Sequence, residues 1–521
     1  MFCMIKKTPV IITLLLLFIV FSNVKSSAQN NLSGDFQVKG FHLDLRIQVM
    51  TPQALRDFAK ELSDFGINTL IVEWEASYPY QKHAVISNNL AYTRKEITSF
   101  IEYCKSLNIE VIPLQQCFGH VEYILRNQRY SKLREDRKEI SQVCPMEVEA
   151  DSLLFSDLFA DISSLHKSKY IHIGGDETYL LGKCDKCSQK VEKEGKSKLF
   201  VDYMKMMCNL VIKEGKTPIM WADILLKHPE AADELPKQTI FIDWNYGWKS
   251  NYFGDIKSLQ NKGLVFWGSP SIRSHPDNWY ITEWEKHFNN QRDFIPYARE
   301  AGYKGIVMTS WSTTGLYGFT WDINYEVLDM KQIRNTYPLS GFRILVASYA
   351  QAINSKDPLD VKSYIIKYAS ERFGFTNNES EKFLQTFITP QELIKDGFPV
   401  KSESINNLLS VTENIKNTLY ALSPQKNKME FEHFRLMIDL REFYLKYQEL
   451  KSVYNSPDFS KDIAKEMLPQ FEQLIKQSKK LDKRFYSLNK EFLYKSEIEQ
   501  QNVFRRMDLI NIYNRIIKIS K

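Results

Sequence analysis

At 521 residues the chain exceeds one ordinary hydrophobic core, so two domains, or one large barrel with an appendage, are expected. The formal net charge is only +6, with both signs interspersed and no basic stripe interleaved with aromatics, which argues against nucleic acid as a partner. Seven cysteines are too sparse for a disulfide scaffold.

The first stretch reads as an export signal over residues 1–28. Lys6 and Lys7 form a basic start, Val10 to Phe21 an apolar run, and Ser26-Ser27-Ala28 a small-residue cleavage site. That run is short for a bilayer, and no later stretch is long and apolar enough to cross one. The mature protein is therefore expected to be soluble and exported, to the periplasm or outside the cell.

From about residue 37, strand-like windows alternate with helical ones. Phe41–Arg46 is the first strand window, and Leu55, Phe58, Ala59, Leu62 and Phe65 then recur at helical spacing up to Gly66. Asn68–Trp74 follows, ending in Glu73-Trp74-Glu75; Thr93 and Glu96 form a capping box before the next helix. Glu110–Leu114 precedes a long loop holding Phe118, Gly119 and His120, and a helix is expected near 152–166. Tyr170–Ile173 then runs into Gly174-Gly175-Asp176-Glu177. Lys190–Glu214 reads as one helix. Thr217–Trp221, Thr239–Trp244, Gly263–Trp267 and Gly305–Trp311 supply the remaining strand windows, with helix at 283–301 before the last. Eight βα units of this size fit a (β/α)8 TIM barrel over 37–342. A doubly wound sheet is the alternative, but polar and aromatic residues recur at almost every strand end instead of at one switch point.

Past about Arg343 the strand windows disappear. Lys-, Glu-, Leu- and Tyr-rich segments, broken near Pro390, Pro399, Pro424 and Pro457, read as a C-terminal all-α helical domain over 343–521.

Two adjacent carboxylates at the carboxyl end of a buried strand pack poorly and suit acid/base chemistry, whereas the plainer reading of Asp176-Glu177 is a solvated turn. Cys184 and Cys187 have CxxC spacing. With no second such pair or nearby His pair, no metal site is assigned; a local disulfide, free thiols, or a metal completed by a distant Cys stay open.

His172-Ile173-Gly174-Gly175-Asp176-Glu177 resembles the signature of family 20 glycoside hydrolases, the β-N-acetylhexosaminidases, and the likeness is greatest to the hexosaminidase D branch. Gly40-Phe41-His42-Leu43-Asp44-Leu45, Glu73-Trp74-Glu75 with Pro79-Tyr80, Val111-Ile112-Pro113, Phe118-Gly119-His120-Val121-Glu122, Met220-Trp221-Ala222-Asp223, Trp244-Asn245-Tyr246 and Trp311 follow in the family's order. The likeness covers about 37–325. Two departures accompany it. The small α/β domain that most members carry before the barrel is not expected, and Lys39 stands where many members place an Arg that grips sugar hydroxyls.

The resemblance implies exo-acting hydrolysis of terminal β-linked N-acetylglucosamine or N-acetylgalactosamine with retained configuration, and no cofactor. The substrate's own acetamido oxygen would be the nucleophile, a stated exception to the two-carboxylate rule. Glu177 would be the general acid, its pKa raised by an ionised Asp176; Asp176 would orient the acetamido group. Trp221, Trp244 and Trp311 would surround the sugar, Tyr246 would donate to the acetamido carbonyl, His120 would partner the acids, and Glu75 and Asp223 would contact hydroxyls. The partner is then a glycan carrying a terminal N-acetylhexosamine. Two alternatives stand beside this: a non-catalytic amino-sugar-binding barrel, and an ordinary retaining glycosidase with Glu73 or Glu75 as second acid.

Overall fold

The computed structural model describes residues 36–274, 277, 280–312, 317–320, 329–332, 336–387, 393–395, 398–401 and 404–521. The leader expected over 1–28 lies outside the described residues.

Eight parallel strands close on themselves: β1 (Val38–Asp44), β2 (Thr69–Glu73), β3 (Glu110–Leu114), β4 (Tyr170–His172), β5 (Thr217–Trp221), β6 (Ile240–Trp244), β7 (Val265–Ser269) and, after a short β8 (Ser271–Arg273), β9 (Gly305–Ser310). β1 pairs with β9 from Val38↔Gly305 to Leu43↔Ser310, which seals the barrel. β8 is the prolongation of β7 beyond Pro270, which has no N–H to continue the ladder, and it pairs with β9 at Ser271↔Thr309. Alternate residues point inward, as the two-residue period of a strand requires. Ile71, Ile112, Leu114, Ile219, Trp221, Ile240, Ile242, Trp267 and Val307 fill the interior as their own apolar cluster.

Helices ring this barrel for the reason their sequences announce. In Pro52–Asp64, Thr51 caps by accepting from the Ala54 N–H, and Leu55, Phe58, Ala59 and Leu62 are buried along one face. Burying each such large side chain contributes roughly 2 kcal/mol. The Thr93–Glu96 capping box forms as expected ahead of Arg94–Ser106. The helix expected over 190–214 is instead two, Asp185–Glu194 and Lys196–Lys213, because Gly195 takes a left-handed φ of 88°.

The helix Arg343–Asn354 belongs to the ring. Its Tyr349 hydroxyl reaches the backbone carbonyls of Gly40 in β1 (2.8 Å) and Ile306 in β9 (3.1 Å). The long helices Ile405–Ala421, Lys428–Tyr454, Lys461–Asn489 and Lys495–Ser520 then pack together, and their apolar faces join the same core cluster as the barrel's outer layer. A short antiparallel hairpin, Leu393–Lys395 with Phe398–Lys401, interrupts the helical tail. Among the described residues no helix is long and apolar enough to cross a membrane.

Candidate active site

The carboxyl ends of the strands open into a cavity of about 420 Å³, within the size range of small-molecule sites. Arg46, His120, Asp176, Glu177, Trp221, Trp244, Tyr246 and Trp311 line it, together with Tyr179, Lys227, Trp248, Tyr252, Phe253 and Ser274.

The acids reach one cavity through distorted backbone. Neighbouring residues of a regular strand face opposite sides, so the chain must turn immediately after β4. Gly174 and Gly175 adopt φ of 71° and 90°, and Glu177 itself has φ 48°. A Cβ on Gly174 would meet Gln116 Oε1 at 1.8 Å, so any other residue there would both strain the backbone and displace the Gln116 amide. Among described non-glycine residues, left-handed φ occurs at three Asn, which tolerate it, and at Glu75, His120 and Glu177. Those last three follow β2, β3 and β4 in turn. Such strain persists only where the surroundings over-determine it, and it concentrates at functional sites.

His120 binds the two acids together. Its Nε2 lies 3.4 Å from both Asp176 Oδ2 and Glu177 Oε2. Burial pushes the imidazole down, but the charge of Asp176 and the hydrogen bonds to both acids outweigh it, holding His120 well above its ordinary value. Tyr179 donates to Glu177 Oε1 at 2.8 Å. Burial raises Glu177, yet His120 and Tyr179 together bring its pKa below the ordinary value. The expected upward shift is therefore reversed: His120 and the Tyr179 hydroxyl on Glu177 override the effect of burial. Asp176 Oδ1 is buried and has no protein partner.

The other expected residues divide. Trp221 and Trp311 rings lie 5.9 Å apart, and Trp311 Nε1 donates to the Tyr246 hydroxyl at 2.9 Å. Trp244 stands 5.2 Å from Tyr246, 5.4 Å from Trp248 and 4.6 Å from Phe253. Asn245 Oδ1 accepts from the N–H groups of Gly247 and Trp248, folding this aromatic loop over the opening. Asp223 does not line the cavity. It is buried beneath, where Oδ2 accepts from the Glu177 N–H at 3.4 Å; burial and then the charge of Asp176 raise its pKa to about 7. Glu75 is likewise withdrawn, its carboxyl 3.7 Å from Arg46 Nε. Its pKa stands well above the ordinary value through burial, reinforced by Glu73 and Asp44 against the opposing Arg46. Glu73 is held by His42 (3.1 Å) and Gln116 (3.0 Å) and does not face the cavity. Among the described lining residues, Asp176 and Glu177 are the acids.

Lys39 sits at the opposite, amino end of β1, where Nζ donates to Asn354 Oδ1. The cation that β1 delivers to the mouth is Arg46, clamped by Asp44 at 3.1 Å and lying 5.1 Å from the Trp311 ring centre. Sequence reasoning missed Arg46, Tyr179, Lys227, Trp248, Tyr252, Phe253 and Ser274. The crowding of aromatics between Trp244 and Phe253 was a usable signal. For Arg46 the signal was its place just past Asp44, at the strand's carboxyl end.

A closed barrel with paired acids and an aromatic wall at its mouth has the parts that acid/base chemistry on a sugar ring needs. Residues 71–314 match the family description "Glycosyl hydrolase family 20, catalytic domain", so over this stretch the chain is similar to the catalytic domain of that family. Hexosaminidase D of Bos taurus is 25% identical over 287 residues, covering 52% of this chain and 83% of the bovine protein. Hexosaminidase D of Homo sapiens is 26% identical over 296 residues, covering 54% of this chain and 61% of the human protein. Among solved structures, a β-N-acetylhexosaminidase from Bacteroides fragilis aligns at 16% identity with a TM-score of 0.49, over 64% of this chain and 70% of that one.

Proposed function

We propose that the protein is an exported, exo-acting β-N-acetylhexosaminidase that removes terminal β-linked N-acetylglucosamine or N-acetylgalactosamine with retention, using the substrate's acetamido oxygen as nucleophile. The observation that carries this is that Asp176 and Glu177 face one sugar-sized cavity in which no third described acid is present. A two-carboxylate mechanism would need its nucleophile about 5 Å from the acid, and Glu73 and Glu75 are both withdrawn.

In the first step the acetamido oxygen bonds to C1 as the C1–leaving-oxygen bond breaks, and Glu177 delivers its proton to that oxygen. Asp176 Oδ1 accepts the acetamido N–H and balances the positive charge developing on nitrogen. Tyr246 donates to the acetamido oxygen, and Trp221, Trp244 and Trp311 enclose the apolar face of the ring. Water then attacks C1 as the C1–acetamido-oxygen bond breaks, giving its proton to Glu177 and restoring the free acetamido group, and this second inversion restores the configuration. Holding the internal nucleophile against C1 makes the attack unimolecular, worth effective molarities of about 10⁵ M or more when well aligned.

His120 and Glu177 hold one proton between them. In the free protein it rests on His120, whose cationic form the two carboxylates favour. A bound glycoside engages Asp176 and dries the site, which weakens the hold on the imidazolium and returns the proton to Glu177.

The test compares aryl 2-acetamido-2-deoxy-β-glycosides with their 2-hydroxy counterparts. Turnover confined to the acetamido series, with the β-anomer as first product, is expected. Equal rates on both series would reject the mechanism, and binding of N-acetylglucosamine without any turnover would leave only a sugar-binding barrel.

A further inference from the structure

Three cysteines and a glutamate, scattered in sequence, converge beside the active-site loops. Cys144 precedes the helix Val148–Leu165, Cys184 is the N-cap of Asp185–Glu194, and Cys187 lies in that helix's first turn. Cys144 Sγ is 3.5 Å from Cys184 Sγ and 3.6 Å from Cys187 Sγ; Cys187 Sγ is 3.2 Å from Glu135 Oε2. One ligand atom from each of the four lies within 4.8 Å of every other.

We propose that Glu135, Cys144, Cys184 and Cys187 form a structural zinc site that clamps the loop after β3 to the loop after β4.

The spacing is that of a tetrahedron. Zn–S bonds of about 2.3 Å and a Zn–O bond of about 2.0 Å place the sulfurs about 3.8 Å apart and the oxygen about 3.5 Å from each sulfur. A disulfide would consume two of the sulfurs and leave the third thiol buried against it. The donor set is soft and thiolate-rich, which selects zinc over magnesium or calcium. The fourth ligand is already oriented: Glu135 Oε1 accepts from the N–H groups of Lys183 (2.7 Å) and Cys184 (2.8 Å), leaving Oε2 turned toward the sulfurs. Cys184 and Cys187 sit at a helix N-terminus, where unpaired N–H groups favour thiolates. The Cys187 N–H points at Cys184 Sγ at 3.5 Å. Glu135, Cys144 and Cys187 are buried, while half-buried Cys184 opens onto a surface depression that gives the ion a way in. Binding releases the thiol protons to solvent as the three sulfurs become thiolates.

The clamp stands close to the acids without touching them. The Val143 N–H bonds to the Phe118 carbonyl two residues before His120, and Gln142 Oε1 accepts from the Leu180 N–H three residues after Glu177. Zinc at this point would hold His120 in register with Asp176 and Glu177.

The full-length chain, loaded with zinc and desalted, should retain about one zinc per chain by elemental analysis. Cobalt in its place should give tetrahedral visible bands and a thiolate charge-transfer band. A Cys144→Ser/Cys187→Ser double variant should lose at least about tenfold in zinc affinity and melt at lower temperature. Glu135→Gln should weaken binding less, and His120→Asn should leave the zinc content intact, which separates this cluster from the catalytic one. If the double variant does not fold, the zinc content and cobalt spectrum of the unaltered chain decide. No zinc or cobalt retained by the loaded chain, a disulfide among the three cysteines by intact mass, or full zinc retention in the double variant would overturn the assignment.

Discussion

The two halves of the barrel mouth are built differently. The loops after β1 to β4 supply charge: Arg46, His120, Asp176 and Glu177, with the neighbouring Asp44, Glu73 and Glu75 drawn into the same network. The ends of β5 to β9 and the loops after them supply mainly rings, Trp221, Trp244, Tyr246, Trp248, Tyr252, Phe253 and Trp311, with Lys227 among them. The left-handed non-glycine residues of the mouth also fall on the two sides unevenly, with Glu75, His120 and Glu177 in the charged half and Asn251, a residue that tolerates this conformation, in the aromatic half. Charged groups of opposite function must be held against their preferred geometry, whereas an aromatic wall needs only area and shape. On the proposed function, the chemistry belongs to the strained half, and the aromatic half selects which ring is presented to it.

Substitutions can break this division in order of expected effect. In the charged half, Glu177→Gln should lower kcat about 10²–10⁴-fold on poor leaving groups and far less on activated aryl glycosides. An equal loss across a leaving-group series would remove Glu177 from the role of acid. Asp176→Asn keeps an accepting oxygen but removes the charge, and a loss of about 10²–10³-fold in kcat, with KM nearly unchanged, is the expected signature of a group that acts in the transition state. In the aromatic half, Trp244→Ala should cost about 10–100-fold in kcat/KM, largely through KM, as steady-state kinetics on one substrate would show.

The shared proton gives a pH test. His120 is raised, so the imidazolium that supplies Glu177 persists above the ordinary histidine value and is lost only as pH rises through the raised one. The alkaline limb of kcat/KM should therefore lie above pH ~6.5. In His120→Asn the proton pool is Glu177 alone, and the limb should move to lower pH. A limb that stays in place would show that His120 does not feed the acid.

The smallest effect concerns Asp223, buried under Glu177. Its folded pKa, about 7, stands above its unfolded value, so the stability tied to its neutral form is complete below the unfolded pKa and is lost as pH rises through 7. Asp223→Asn should therefore raise Tm relative to the unaltered chain at pH 8 and make little difference at pH 4, with thermal melts at both values as the check.

Much of this site was legible in the chain itself. Ile171-His172-Ile173 followed by two glycines and two acids is a local pattern, and local patterns survive into structure: β4 ends at His172 and both acids reach the cavity. The strand-end aromatics Trp221, Trp244, Tyr246 and Trp311 follow for the same reason, because position along a strand decides which end of the barrel a residue meets. Glu75 and Asp223 stand at strand ends too, yet they are buried behind the cavity. The turn after each strand aims its side chain, and the left-handed φ of Glu75 directs it toward Arg46. Nothing in residue spacing gives that angle.

By itself the amino-acid order determined the succession of βα units, the helical tail and the place of the Asp176-Glu177 pair at a strand end, since periodicity and turn chemistry act over a few residues. Tertiary structure alone decided what depends on distant residues meeting. It placed Arg46, not Lys39, at the mouth and lowered Glu177 through His120, 57 positions earlier in the chain. It also brought Glu135 and Cys144 to the Cys184–Cys187 pair. Hydrogen bonds and metal coordination act only at contact distance, and only the closed barrel brings those loops that near.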